Sequence, residues 1–282
     1  MEVSNRQDVI SEFKLLAIPF TCALIVIAIA IGLSEQKIEF SGFILILGAF
    51  FLLAYFQQKT RNIKANIKSL MVEGVCGYLG WTYFAEVTDR PDLKMLADFG
   101  LIRSTFERAS FEDQISGAVH GADFRSVEAH LERKNDDSWA TVFRGQIMTL
   151  TFPRKFLGQT VVLRDKGMFQ SKKRGDMKRV GLVDPVFEKI FEAYSTDQVE
   201  SRYLLDPVFM QKLVDLERSV DGKRIRFGFI EGQLLIVVET KNRYEAGSML
   251  KSLTAHERTQ KILDEIGAIY DIVDAVLAPS AS

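Results

Sequence analysis

The sequence predicts an α+β fold: an N-terminal two-helix transmembrane hairpin, then a cytoplasmic domain with a mainly antiparallel sheet and flanking helices. Three observations predict it. Two long uncharged apolar runs precede residue 58, and almost all the charge follows it. Period-two alternation of apolar and polar residues dominates from residue 111 onward. Between those alternating stretches, Asp-Pro pairs supply helix starts, Asp as N-cap and Pro as first helical residue.

The first apolar run, residues 15–33, reads LLAIPFTCALIVIAIAIGL. At 1.5 Å per residue, about 19 residues cover roughly the 30 Å hydrocarbon core of a bilayer. Pro19 falls in the first turns, where a missing N–H costs least. The second run, residues 40–56, reads FSGFILILGAFFLLAYF, with Tyr55 and Phe56 as interfacial aromatics. Residues 34–39 (SEQKIE) join the runs and permit only an antiparallel hairpin. A cleaved signal peptide would need a basic start, whereas MEVSNRQDVISEFK balances bases with acids; residues 33–37 also lack a small-x-small cleavage site. A buried hairpin of a water-soluble fold fits poorly, because both runs are apolar on every face. Lys59, Arg61, Lys64 and Lys68 follow the second run, with no acid until Glu73. The excess of lysine and arginine therefore places both termini on the cytoplasmic side and the short loop outside.

Residues 59–80 continue as a basic amphipathic helix. Ile63, Ile67, Leu70, Met71, Val75, Tyr78 and Leu79 recur at helical spacing, with Arg61, Lys64 and Lys68 off that face. Such charges set topology, and close to a membrane they attract anionic headgroups at about 1 kcal/mol each. The expected organisation is thus a hairpin over 1–58, a juxtamembrane helix over 59–80 and an α+β domain over 81–282.

Within that domain, Asp89-Arg90-Pro91 predicts a helix over 91–99, followed by a loop at Gly100-Leu101. Residues 125–133 alternate, with Val127, Ala129 and Leu131 facing one way and Glu128, His130 and Glu132 the other. Turns at 120–123 (HGAD) and 135–138 (NDDS) bound that strand. Residues 139–152 are β-prone, with Gly145 as a bulge or bend, and 160–164 form a short strand. The clearest hairpin pairs 223–230 with 233–239 around Gly232. Helices start at Asp184-Pro185 and Asp206-Pro207, and Thr196 to Glu200 resembles a capping box. A last helix over 247–277 buries Leu250, Leu253, Ile262, Ile266, Ile269 and Val273.

Composition excludes some classes. A net charge of -1 and a pI near 6.4 lack the basic excess of a nucleic-acid binder. Two cysteines, Cys22 and Cys76, form neither a disulfide framework nor a thiolate metal site, so no cofactor is expected from them. Two helices without an ionisable residue enclose no polar path, which removes a transport role for the isolated chain.

Longer strings carry a resemblance. VFRGQ (142–146), DPVFEKIFEAYSTDQVESRYLLDPVFMQKL (184–213) and RYEAGS (243–248) resemble a bacterial membrane-protein family known as domain of unknown function 3137, from about Tyr78 to Tyr270. The resemblance implies a bacterial inner-membrane protein with spans ahead of the domain. It transfers no activity and no catalytic residue.

Isolated motifs carry little chemistry. His120, His130 and His256 share no metal-ligand spacing and read as a turn residue, an exposed strand residue and a solvated helix residue. Ser248-Met249-Leu250-Lys251 is an SxxK string without SDN or KTG partners. Glu112, Asp113 and Glu239 show no partner in the sequence. Lys172, Lys173, Arg174, Lys178 and Arg179 flank Gly175-Asp176 in a basic loop that lacks the phosphate-cradling glycine pattern. The leading expectation is a membrane-anchored interaction or scaffold module that contacts membrane lipids and a protein partner or second copy, not nucleic acid. One alternative is an enzyme acting on a membrane-associated substrate, using carboxylates gathered from distant segments. The other is an anionic-lipid binder using Lys59, Arg61, Lys64, Lys68, Lys172, Lys173, Arg174, Lys178 and Arg179.

Overall fold

Of two neighbouring runs near the end of the chain, QLLIVVE is apolar at both odd and even positions, and IRFGFI is buried along its whole length. In a strand, consecutive side chains point to opposite faces, so such runs belong where both faces of a sheet are covered. The computed structural model places them there. It describes residues 48, 50, 52, 54–59, 69–152, 154–164, 176–219, 224–239 and 255–277. The chain divides into two units, Met1–Lys68 and Ser69–Ser282.

In the second unit, the described residues form nine strands in the order β1-β2-β3-β4-β9-β8-β5-β7-β6. They are β1 Thr82–Phe84, β2 Arg108–Val119, β3 Ala122–Asn135, β4 Ser138–Thr151, β5 Thr160–Arg164, β6 Lys178–Val180, β7 Phe191–Ser195, β8 Ile225–Ile230 and β9 Gln233–Glu239. Every neighbouring pair is antiparallel. The helices are α1 Leu93–Asp98, α2 Pro185–Ile190, α3 Gln198–Leu204, α4 Pro207–Ser219 and α5 Ala255–Leu277, with a further helical stretch over 69–78.

Alternation divides the core in two. Leu234, Ile236 and Val238 of β9 join Phe227 and Phe229 of β8 on one face, beneath Phe209, Leu213 and Leu216 of α4 and Ile266, Ile269 and Val273 of α5. Leu235 and Val237 turn the other way, against Leu96 of α1 and Leu101 and Ile102 of the following loop. Arg226 ties that loop down. It is buried, donates to the Leu101 carbonyl at 2.7 Å and pairs with Glu239 at 2.6 Å. Burial pushes its pKa below the ordinary value, while Glu239 opposes that.

Strand β3 changes its covered face midway. Ala122 and Phe124 lie in the helix-covered core, whereas Ala129 and Leu131 lie in the other. The alternation read at 127–131 is therefore right for the second half of a longer strand. The turns narrow to two residues: His120-Gly121, with φ 52° and 77°, and Asp136-Asp137, with Asp136 at φ 49°. Glu231-Gly232, at 53° and 77°, closes the β8–β9 hairpin in the same primed-turn manner. The irregularity foreseen at Gly145 sits elsewhere: β3–β4 register slips between Leu131 and Glu132, opposite Val142, and Gly145 pairs regularly on both sides.

Other expectations shift by a residue or more. The helix foreseen at 91–99 begins at Leu93, because Asp92 caps it through the Lys94 and Met95 amides at 2.9 and 3.0 Å. Within 69–78 the buried residues are Val72 and Cys76, while Leu70 and Tyr78 are exposed. Adjacent stripes of this helix are about equally apolar, so periodicity alone does not choose between them; packing against Trp81 and the sheet does. Gly117 permits that packing, since a Cβ there would lie 2.3 Å from the Trp81 ring. In the last helix Ile266, Ile269 and Val273 are buried as expected, joined by Ile272, Val276 and Leu277. Leu250, Leu253 and the side chain of Ile262 lie outside the described residues, as do residues 247–254.

In the first unit, residues 54–59 are helical, and Phe50, Leu52 and Tyr55 are exposed. The expected span 15–33, the loop 34–39 and most of 40–56 lie outside the described residues. Among the described residues, no helix is long and apolar enough to cross a membrane.

Candidate docking site

The loop between β4 and β5 is built to hold one exposed leucine. Phe152 and Phe156 anchor it from within, packing with Phe209 and Phe229 at ring-centroid distances of 5.0–6.4 Å. Leu157, the next residue, is 100% exposed. Its backbone is nevertheless fixed. The two oxygens of Glu200, on α3, accept the Leu157 and Gly158 amides at 2.7 Å each. Charge-assisted bonds of this kind are roughly twice as strong as neutral ones. Gly158 makes the approach possible, because a Cβ there would lie 2.7 Å from Glu200 Oε2 and 3.1 Å from Asp197 Cβ.

Arg154 forms a second clamp. Its guanidinium donates to the carbonyls of Tyr203 and Leu204 at 3.1 and 3.4 Å, pairs with Asp206 at 2.8 Å and lies 5.5 Å over the Tyr203 ring. Two uncapped carbonyls at the end of α3 thereby gain a donor. Partial burial raises the Asp206 pKa, but the Phe209 amide and Arg154 outweigh it, and the carboxyl sits below its ordinary value. Asp197, not Thr196, is the N-cap of α3, accepting the Val199 and Glu200 amides at 2.8 and 3.0 Å. These bonds hold its pKa down. Thr196 instead accepts the Gln159 amide at 2.9 Å. Glu200 is thus spent on the loop rather than on a capping box.

The outcome is a rigid frame presenting apolar side chains to solvent. Val199 and Tyr203, one turn apart on α3, are 80% and 65% exposed beside the clamped Leu157. Lys155, Lys178 and Arg202 are exposed around them, and the Lys178 carbonyl accepts from Gln198 at the start of α3 at 3.3 Å. No sequence signal singled out Leu157, Val199 or Tyr203. A lone leucine in a loop reads as core, and only Gly158 with a later Glu-bearing helix hints at a clamp.

Of the basic residues expected to touch lipid, Lys59, Lys178 and Arg179 are described; Arg61, Lys64, Lys68, Lys172, Lys173 and Arg174 lie outside the described residues. Lys178 and Arg179 are exposed on β6, but Arg179 pairs with Glu188 at 3.0 Å. Ser248 to Lys251 and the side chain of His256 also lie outside the described residues. His120 bonds Asp274 of α5 at 2.7 Å, so this turn residue also ties the last helix to the β2–β3 turn.

A second cluster lies on the open half of the β2–β3–β4 face. Arg144 stands 3.3 Å from Glu128 and 3.9 Å from Glu112, and Arg108 stands 3.5 Å from Glu132. His130 bonds Thr141 at 2.9 Å. Burial lowers the His130 pKa, with Glu132 opposing. The acids that lacked partners in the sequence have them here: Glu112 faces Arg144, Glu239 holds Arg226, and Asp113 accepts from the Tyr83 hydroxyl at 2.6 Å. Among the described residues no group of three His, Cys, Asp or Glu side chains is placed to hold a metal ion.

Comparison with known proteins adds one assignment. The chain is similar to the crystal structure of the mycobacterial trehalose monomycolate transport factor A, TtfA, at 13% identity and a TM-score of 0.37, covering 76% of this chain and 98% of that one. No curated protein matches the chain. Residues 141–277, which include the whole clamped loop and α3, match the family described as protein of unknown function (DUF3137).

Proposed function

We propose that this chain is a membrane-anchored interaction module of the bacterial inner membrane, with both termini cytoplasmic, and that the surface of Leu157, Val199 and Tyr203 is where it docks. The single observation carrying the reading is the clamp. Two separate charged side chains, Glu200 and Arg154, are committed to fixing a loop whose tip residue, Leu157, is fully exposed. Fully burying a leucine contributes about 1.5–3 kcal/mol. A rigid frame that forgoes that gain suits a surface buried by something else, since pre-organisation lowers the entropy cost of docking.

Two further observations support the rest of the reading. The acids of the β2–β4 face are paired with arginines, an arrangement that suits a structural ladder better than a general acid or base. Phe50, Leu52 and Tyr55, exposed on helical residues within the second apolar run, suit a segment solvated by lipid.

The test is site-specific photo-crosslinking of the full chain in native membranes, with the reactive side chain at position 157, 199 or 203. Docking predicts adducts at these three positions and none at exposed positions of the β3–β4 turn such as Asp137. Uniform absence of adducts at all three would remove the reading.

A further inference from the structure

We infer that the surface docked by Leu157, Val199 and Tyr203 is an anionic lipid bilayer. The inference rests on the docking reading and names what meets the site. Its first support is the kind of side chain presented. Leu157 projects from a loop tip with no neighbour to cover it. Tyr203 is half-exposed with Arg154 stacked on its ring. A projecting leucine suits the acyl boundary, and a tyrosine suits the headgroup level above it.

Charge supplies the second support. Among the described residues Lys155, Lys178 and Arg202 make no ion pair, and all three are exposed. The neighbouring acids are committed to partners within the chain, although Asp197 is itself exposed. Glu200 binds the Leu157 and Gly158 amides, and Asp197 caps α3. Asp206 holds Arg154 and the Phe209 amide; Glu188 holds Arg179 and the Leu182 amide. Asp176, in the turn before β6, is the exposed acid nearest in sequence to Lys178. The site thus offers three exposed cations around an apolar tip, Arg202 also donating to the Gln198 carbonyl at 2.9 Å, the complement of phosphates around acyl chains. This also revises the basic loop read in the sequence: Lys178 takes part, whereas Arg179 is spent on Glu188.

The test uses the full chain reconstituted in phosphatidylcholine vesicles with and without phosphatidylglycerol. A spin label is placed through Leu157→Cys in a Cys22→Ala background. Cys76 is fully buried and burial pushes its thiol up to about 11, so it stays unlabelled in the folded chain. Accessibility of the label to oxygen is compared with that to a water-soluble nickel chelate. With phosphatidylglycerol the ratio is expected to rise several-fold toward oxygen, and to fall back in high salt or in the K155E/K178E/R202E variant. A label equally open to the chelate in both vesicles overturns the inference, as does a lipid-like label in phosphatidylcholine alone. If the label stays wet while position 157 crosslinks to a protein in native membranes, docking stands and the lipid assignment falls. If neither occurs, both fall.

Discussion

Glu200 illustrates how much one side chain can determine. Its carboxylate sits on a three-turn-or-less helix, yet its two bonds fix the backbone of a loop 42–43 residues away in sequence. Removing it leaves two amides to find water and frees the loop tip. Glu200→Ala should lower stability by about 1–3 kcal/mol, the range for bonds to a charged acceptor. Gly158→Ala should act in the same direction, because the added Cβ meets Glu200 Oε2 at 2.7 Å and must displace it. Urea denaturation of the full chain in detergent measures both. A Glu200→Ala midpoint equal to that of the unaltered chain would mean that the clamp contributes nothing. None of this was legible in the sequence. In the sequence Glu200 reads as the acid of a capping-box-like helix start, and the pairing with the loop depends on how β5, β7 and the intervening helices bring residues 157 and 200 together.

At the scale of elements, the helix starts were the most legible feature. Asp184 accepts the Val186 and Phe187 amides at 2.8 and 3.0 Å, and Asp206 accepts the Phe209 amide at 2.8 Å, as Asp-Pro pairs demand. Asp206 also holds Arg154, so one residue serves both a cap and the clamp. Its folded pKa lies below the unfolded one. It therefore contributes stability above the unfolded value of about 3.9, and loses it as pH falls through the folded value. Asp206→Asn should lower stability by about 1 kcal/mol near neutrality. The gap between variant and parent should close on acidification, which thermal melts across the acid range measure. A gap independent of pH would assign the loss to packing. The short strands β1, β6 and β7 were not legible. They have three, three and five residues, and β7 follows α2 without a linker, so no turn signal announces it. They are strands because longer neighbours offer them backbone partners.

Over the whole molecule, the antiparallel sheet and its helices were readable, since β9 is apolar on both faces, β8 carries Ile225, Phe227 and Phe229 on one, and α4 and α5 carry matching stripes. What was not readable is which apolar residues remain outside. Leu157 and Val199 are no more polar than Phe156, Leu204 or Phe209, which are buried, and Tyr203 differs from phenylalanine by one hydroxyl. Periodicity ranks positions along one element, whereas exposure at this site follows from how a loop crosses a helix of another segment. A tether read from composition is thus joined to a docking face read from three dimensions. The central claim is that this face is covered when the chain sits in its membrane. Hydroxyl-radical footprinting of the unaltered full chain tests it most directly, comparing native membranes with purified chain in detergent. Strong labelling of Leu157, Val199 and Tyr203 is expected in detergent and several-fold less in membranes, with Trp139 unchanged. Equal labelling of the three residues in both settings would contradict it.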